Sequence, residues 1–308
     1  MSGLRQALVD YLAVRRALGY QLERAAKLLD QFLAYVEQSG EEHLRVETML
    51  AWARLPDHAA RSWASARLSV VRRFAVHVHA LDPANEVPAS DLLPWRRCRA
   101  TPYLYSDEEL ARLLTATDTL RTPHRVATFR TLIGLLAVTG MRVGEALALD
   151  RDALDATDHV LTIRLTKFGK SRELPVHPTT VAALHAYLHR PDRPRPAART
   201  PAILVSTAGT RLLYTNVQWT FHRLVQRAGL TPRSAACRPR LHDLRHRFAV
   251  RTVMDAYEQG HDPEHRLALL STYLGHVDPN TTYWYLSAAP ELLSLASDRL
   301  ERQDGGQP

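Results

Sequence analysis

The chain has 308 residues and a mass of 34.7 kDa, with 45% apolar and 23% charged residues, a make-up that excludes a disulfide miniprotein, a collagen, a coiled coil and a disordered tail. Its 40 basic residues against 32 acidic ones give a net charge of +8 and a pI near 9.8, which favours a polyanionic partner. Cys98 and Cys237 lie far apart without CxxC spacing, no apolar run approaches the roughly 20 residues of a membrane span, and the N-terminus lacks a secretory layout, so a cytoplasmic protein without a disulfide framework or a zinc motif is expected.

In chain order, Leu4, Ala7, Leu8, Tyr11, Leu12 and Leu18 recur at helical spacing and stop at Gly19. A second helix fits Leu22, Ala25, Leu29, Phe32, Leu33 and Val36, and a third runs from Val46 to Arg54, before Pro56. A fourth, over about 58–80, sets Trp63, Val70, Phe74 and Val78 on one face and sends Arg61, Arg67, Arg72 and Arg73 elsewhere on its circumference. Residues 1–81 thus read as a four-helix unit with basic surfaces. From 82 to 102 the periodicity fails, and Pro83, Pro88, Pro94 and Pro102 accompany Arg96, Arg97 and Arg99. This stiff, basic linker fits a solvated connector and a strand laid along a phosphate backbone equally.

The pattern resumes at Ser106, whose capping box with Glu109 opens a helix to about Thr117. Further helices are expected over 124–138 and, after Thr139-Gly140, through Leu149. Residues 159–165 alternate with β-branched types, 167–171 turn through Gly169, and 172–176 return, which is a hairpin. Pro178 opens a helix to about Arg190, 191–201 is a Pro- and Arg-rich loop, and 203–206 is a short strand candidate. Helices follow over 215–229, 241–257, 263–274, 281–286 and 290–301. The expected fold is mainly α, with a helical domain, the linker, and a mostly helical domain over 103–308 carrying one small antiparallel sheet.

Several reactive side chains of the second domain stand in suggestive surroundings. Arg142 lies in Thr-Gly-Met-Arg-Val-Gly-Glu, with Glu145 three residues on. Lys167 and Lys170 are two of only three lysines in the chain and share the hairpin turn; base composition accounts for the arginine excess. His242 and Arg245 lie in His-Asp-Leu-Arg-His, three apart on one helical face, His276 follows Leu274-Gly275, and Tyr285 comes nine residues later. Two guanidinium forks can hold the non-bridging oxygens of a phosphodiester bidentately while staying charged. A phenol is mostly protonated at neutral pH, so a tyrosine nucleophile needs a nearby base or a strong positive field.

This ordered set resembles the tyrosine recombinase family, the phage-integrase-like and Xer-like enzymes, over roughly 103–300. The N-terminal unit is similar in kind to the family's SAM-like core-binding domain. The resemblance implies a site-specific recombinase that cleaves and rejoins DNA through a 3′-phosphotyrosine. Tyr285 would be the nucleophile, Arg142 and Arg245 the phosphate clamp, and Lys167 the general acid for the leaving 5′-oxygen. His242 would be a proton acceptor or a phosphate donor, His276 a second phosphate donor, and Glu145 an orienting acid.

Tyr283, two residues before Tyr285, faces away by about 200° on a helix. Arg72, Arg73, Arg96, Arg97, Arg99, Lys170, Arg240 and Arg247 are further DNA-contact candidates, Arg247 standing where many relatives carry a small hydroxyl residue. Such chemistry needs no metal or nucleotide, because fixed cations fill the electrostatic role. The expected partners are double-stranded DNA sites and further copies of the chain in a tetramer, into which the amphipathic segment after Pro290 would dock. Asp150, Asp152, Asp155 and Asp158 read as a solvated turn, since they lack the glycine and terminal glutamate of a calcium loop. A DNA-binding regulator that lost the chemistry, and a topoisomerase IB-like relaxing enzyme, are the alternatives.

Overall fold

The computed structural model describes residues 3–55, 60–93, 100–164, 171–194 and 200–275. The chain divides into two compact units, Met1–Arg99 and Ala100–Pro308.

In the first unit, α1 (Gly3–Ala17), α2 (Glu23–Gln38), α3 (Val46–Arg54) and α4 (Arg61–Leu81) bury the stripes that their apolar periodicity sets out. Leu29, Phe32, Leu33, Met49, Trp52, Leu68, Val71 and Phe74 form the dry centre, with Phe32 edge-on to Trp52 at 5.2 Å. Two expectations are corrected. The buried face of α4 runs through Leu68, Val71, Phe74, Ala75 and Val78, while Trp63 and Val70 are half-buried at its margin. Arg67 belongs inside: its guanidinium lies 3.7 Å from the Trp52 ring centroid and donates to the Leu55 carbonyl. Burial there lowers its pKa.

The second correction concerns the start of the linker, which is folded onto this unit. Val87 and Leu93 pack on the core, and buried Asn85 accepts from the Leu44 amide at 2.9 Å. Glu86 accepts from the Val46 amide at the first turn of α3 (2.6 Å). Amides at a helix start have no partner within the helix, so a carboxylate from a distant segment serves the one at Val46, and a carboxamide serves the amide just before the N-cap.

The second unit opens with α5 (Asp107–Ala116), whose capping box closes through Ser106 and Glu109. α6 (Pro123–Thr139) begins with proline at its first position and a cap from Thr122. The short α7 (Val143–Ala148) leads to strands β1 (Leu154–Asp155), β2 (Val160–Ile163) and β3 (Arg172–Pro175), an antiparallel sheet in that order. In the β2–β3 register Leu161 faces Leu174 and Ile163 faces Arg172. Then come α8 (Pro178–Leu188), α9 (Tyr214–Arg227), α10 (Asp243–Glu258) and α11 (Pro263–Leu274).

Leu132, Ile133 and Leu136 of α6 centre the main core with Ala146, Leu161 and Phe221. A second cluster joins Ala249 and Val253 of α10 to Leu270 and Leu274 of α11. Residues 203–206 do not form the expected strand. Ala202 and Val205 make single bridges to Asp150 and Arg211, so this segment, buried from Ala202 to Val205, is stitched by isolated bonds without a ladder. The hairpin turn and the two helices expected after Gly275 lie outside the described residues. Among the described residues no helix is long and apolar enough to cross a membrane.

Candidate active site

Three elements meet at the C-terminal turn of α11. The first is the junction of α6 and α7, where the chain reverses at Gly140 (φ 59°). A Cβ at Gly140 would stand 2.4 Å from the Phe248 ring, so the position needs glycine on both conformational and steric grounds. The turn makes Arg142 the N-cap of α7, and its backbone amide donates to Glu145 Oε2 (2.9 Å) while its Nη1 donates to Glu145 Oε1 (2.8 Å). Arg142 and Glu145 thus form a closed ring at the helix start.

The second element is α10. Arg245 is 2% exposed; its Nη1 donates to the Gly140 carbonyl and its Nη2 to the Leu274 carbonyl, each at 2.8 Å. Asp243, the first residue of α10, is fully buried and takes three bonds from Arg240, through N, Nε and Nη2. Burial raises the Asp243 pKa against the pull of Arg240. His242 precedes the helix with an exposed edge. The protein packed around the rest of its ring, and then the charges of Arg245, Arg142 and Arg240, push its pKa down to about 4. His242 is thus a neutral imidazole at pH 7 and able to accept a proton. His246, one turn on, is buried edge-to-face against it at 5.0 Å.

The third element is β3, and it brings Arg172, which the sequence reading did not single out. Its Nη1 and Nη2 donate to Glu145 Oε1 (3.1 Å) and Oε2 (2.8 Å), and its Nε donates to the Tyr273 carbonyl (3.1 Å). Burial by itself would raise the Glu145 pKa. The Arg172 fork, the Arg142 amide and the Arg142 guanidinium outweigh it and hold the carboxyl at about 2. A signal for Arg172 was in the sequence: strand alternation puts it on the same face as buried Leu174, and a charge on an inward face requires a partner.

Three guanidiniums therefore address three successive carbonyls at the end of α11: Arg172 on Tyr273, Arg245 on Leu274, and Arg142 on Gly275 at 3.5 Å. Cations suit the negative end of a helix. Here they converge on the point where the chain leaves toward His276. Lys167, Lys170, His276, Tyr285, Arg96, Arg97 and Arg99 lie outside the described residues.

Of the remaining DNA-contact candidates, Arg73 is exposed, whereas three others are bonded within their own unit. Arg72 donates to the carbonyls of Pro88 and Ala89, Arg240 to Asp243 and the Thr101 carbonyl, and Arg247 to Asp107 and the Tyr105 carbonyl. The aspartates 150 and 152 pair with Arg211 and Arg164, and Asp155 accepts from the amides of Thr157 and Asp158. No group of three metal-ligating side chains occurs among the described residues.

The sequence profile of the phage integrase family matches residues 104–291. A putative integrase/recombinase, y4rB, of Sinorhizobium fredii is 43% identical over 98% of both chains. Among solved structures, the Tn1549 transposon integrase in complex with transposon right end DNA covers 97% of this chain and 99% of its own, with a TM-score of 0.64 at 14% identity. A lambda integrase tetramer bound to a Holliday junction covers 92% and 76%, with a TM-score of 0.60 at 17% identity. The site and these likenesses agree, and the chain belongs to the phage integrase family of tyrosine recombinases.

Proposed function

We propose that the protein is a site-specific DNA recombinase that cuts and rejoins DNA strands through a covalent 3′-phosphotyrosine on Tyr285. The observation that carries this reading is the meeting of Arg142 and Arg245, from two elements, at adjacent carbonyls of one turn, with neutral His242 beside them. A guanidinium anchored through part of its donor set keeps a fixed orientation, the preorganisation that stabilises charge developing on a phosphorane. Arg142 and Arg245 hold the non-bridging oxygens, and His242 accepts the phenolic proton or donates to the phosphate. His276 adds a further donor, and Lys167 protonates the departing 5′-oxygen. The cleaved bond's energy is kept in the phosphotyrosine, so rejoining draws on no nucleotide, and the cations meet the electrostatic demand without a metal.

The helical unit at the N-terminus clamps the duplex as a core-binding domain, and the active form is an oligomer on DNA, a tetramer when strands are exchanged. Family membership and the solved relatives on transposon-end DNA and on a Holliday junction support both statements. Incubation with a nicked duplex built from the DNA flanking the gene, followed by denaturing electrophoresis, tests the reading. A covalent adduct formed by the parent and absent from Tyr285→Phe is expected; binding without any adduct marks a regulator that lost the chemistry.

A further inference from the structure

Glu145 has a side chain only 8% exposed, and its two oxygens receive four donors, two from Arg142 and two from Arg172. The neighbourhood of Arg172 is closed on the far side as well. A Cβ on Gly275 (φ 67°) would lie 3.0 Å from its Nη1 and 3.2 Å from its Cζ, so this glycine leaves the room the guanidinium occupies. Arg142, in contrast, is 37% exposed and donates only Nη1 and its amide to Glu145.

A buried carboxylate takes every donor within reach, since each unfilled lone pair there is costly. Were Arg172 absent, Glu145 would complete its shell from Arg142, the other guanidinium bonded to it. The fork of Arg142 would then swing onto the carboxylate, and the edge that grips phosphate would turn away. Arg172 meets half of the acid's demand from behind and so divides the work between the two cations. Its planar fork can do so where an ammonium cannot, because two oxygens and the Tyr273 carbonyl must be met together.

Resting on the recombinase reading, we propose that Arg172 is a positioning residue for strand cleavage: by saturating Glu145 and pinning the turn before His276, it keeps the Arg142 guanidinium aimed at the scissile phosphate.

The test compares the full-length parent with Arg172→Gln, Arg172→Lys, Glu145→Gln and the Arg172→Gln/Glu145→Gln double variant. Covalent adduct formation is measured in single turnover at saturating protein on the nicked duplex, alongside equilibrium binding to the same duplex. Arg172→Gln should slow adduct formation about 100-fold with affinity changed no more than a few-fold, and Arg172→Lys should restore part of the rate. The double variant should be no slower than the slower single one, because removing the carboxylate removes the competitor for Arg142.

A parental rate in Arg172→Gln, losses that multiply in the double variant, or a loss confined to affinity would each overturn the proposal. Should Arg172→Gln fail to fold, Arg172→Lys carries the comparison: a fully parental rate there refutes the need for a fork. A second readout does not depend on cleavage. The Nε–Hε resonance of Arg142 should shift in the Arg172 variants, and an unmoved resonance counts against the proposal. A parent that yields no adduct while this resonance shifts would sink the recombinase reading and leave the positioning geometry standing.

Discussion

Arg245 shows what a single side chain is asked to do at this site. Its guanidinium joins the carbonyl of Gly140 at the end of α6 to that of Leu274 at the end of α11 while remaining 2% exposed. A lysine keeps the charge but is a point donor, so it cannot span both carbonyls and face a phosphate in one geometry. Arg245→Lys should therefore lose about 10²–10³ in single-turnover cleavage, the usual cost of one charge-stabilising donor. Binding to duplex should persist; cleavage within a few-fold of the parent would contradict the assignment.

His242 makes a second prediction with a defined sign. Its folded pKa of about 4 lies below the unperturbed value of about 6.5. The unfolded chain thus takes up the proton first, and the contribution to stability is complete above about 6.5 and lost as pH falls from there through about 4. Its imidazole resonances should titrate well below 6.5, and Arg245→Gln should raise that midpoint by removing a repelling charge. A midpoint at or above 6.5 in the free protein would refute the neutral-imidazole role.

At the scale of elements, the site depends on how abruptly α6 gives way to α7. Gly140 combines a positive φ with an absence of space, its hypothetical Cβ falling 2.4 Å from Phe248 Cδ1. Gly140→Ala should cost about 2–3 kcal/mol, from left-handed strain and overpacking together. Urea titration would register this as a lower midpoint with an unchanged slope; an unchanged midpoint would show that the turn relaxes freely.

The elements also show where sequence reasoning ends. The capping box at Ser106, the proline start at Pro178 and the β2–β3 hairpin were legible, because each is written in residues a few positions apart. What escaped was set by distant partners. β1 is only two residues long, and the buried segment around 203–205 takes its order from Leu149 and Thr210. Glu86 serves a helix start, and Asn85 the amide just before it, from some 40 positions away. Arg142, Glu145 and Arg245 could be named from their motifs, but Arg172 gains its meaning only where β3 comes up against α7 and α11.

Over the whole molecule, the charge balance invites a count of phosphate contacts that the structure redirects. The chain carries 40 basic residues, yet many arginines hold the protein to itself. Arg5 clamps Glu37 through two bonds of 2.9 Å, Arg67 lies over Trp52, and Arg72, Arg211, Arg240 and Arg247 are tied to carbonyls or carboxylates within their own unit. Such residues differ from phosphate-binding ones in what their loss should do. A cation that neutralises a DNA phosphate releases counterions, so its removal lowers the slope of log affinity against log salt by about 0.9. A cation that bonds a buried carbonyl or carboxylate leaves that slope alone and lowers folding stability instead, by about 1–3 kcal/mol for the unsatisfied partner. Arg240→Ala, which strips the two guanidinium bonds from fully buried Asp243 and leaves only the backbone amide, should therefore shift the urea midpoint and preserve the salt slope. Arg73→Ala, at an exposed position of α4, should do the reverse. If Arg240→Ala instead lowers the slope by about one phosphate's worth at unchanged stability, the internal ion pair opens on DNA, and Arg240 belongs to the interface that its place beside His242 suggests.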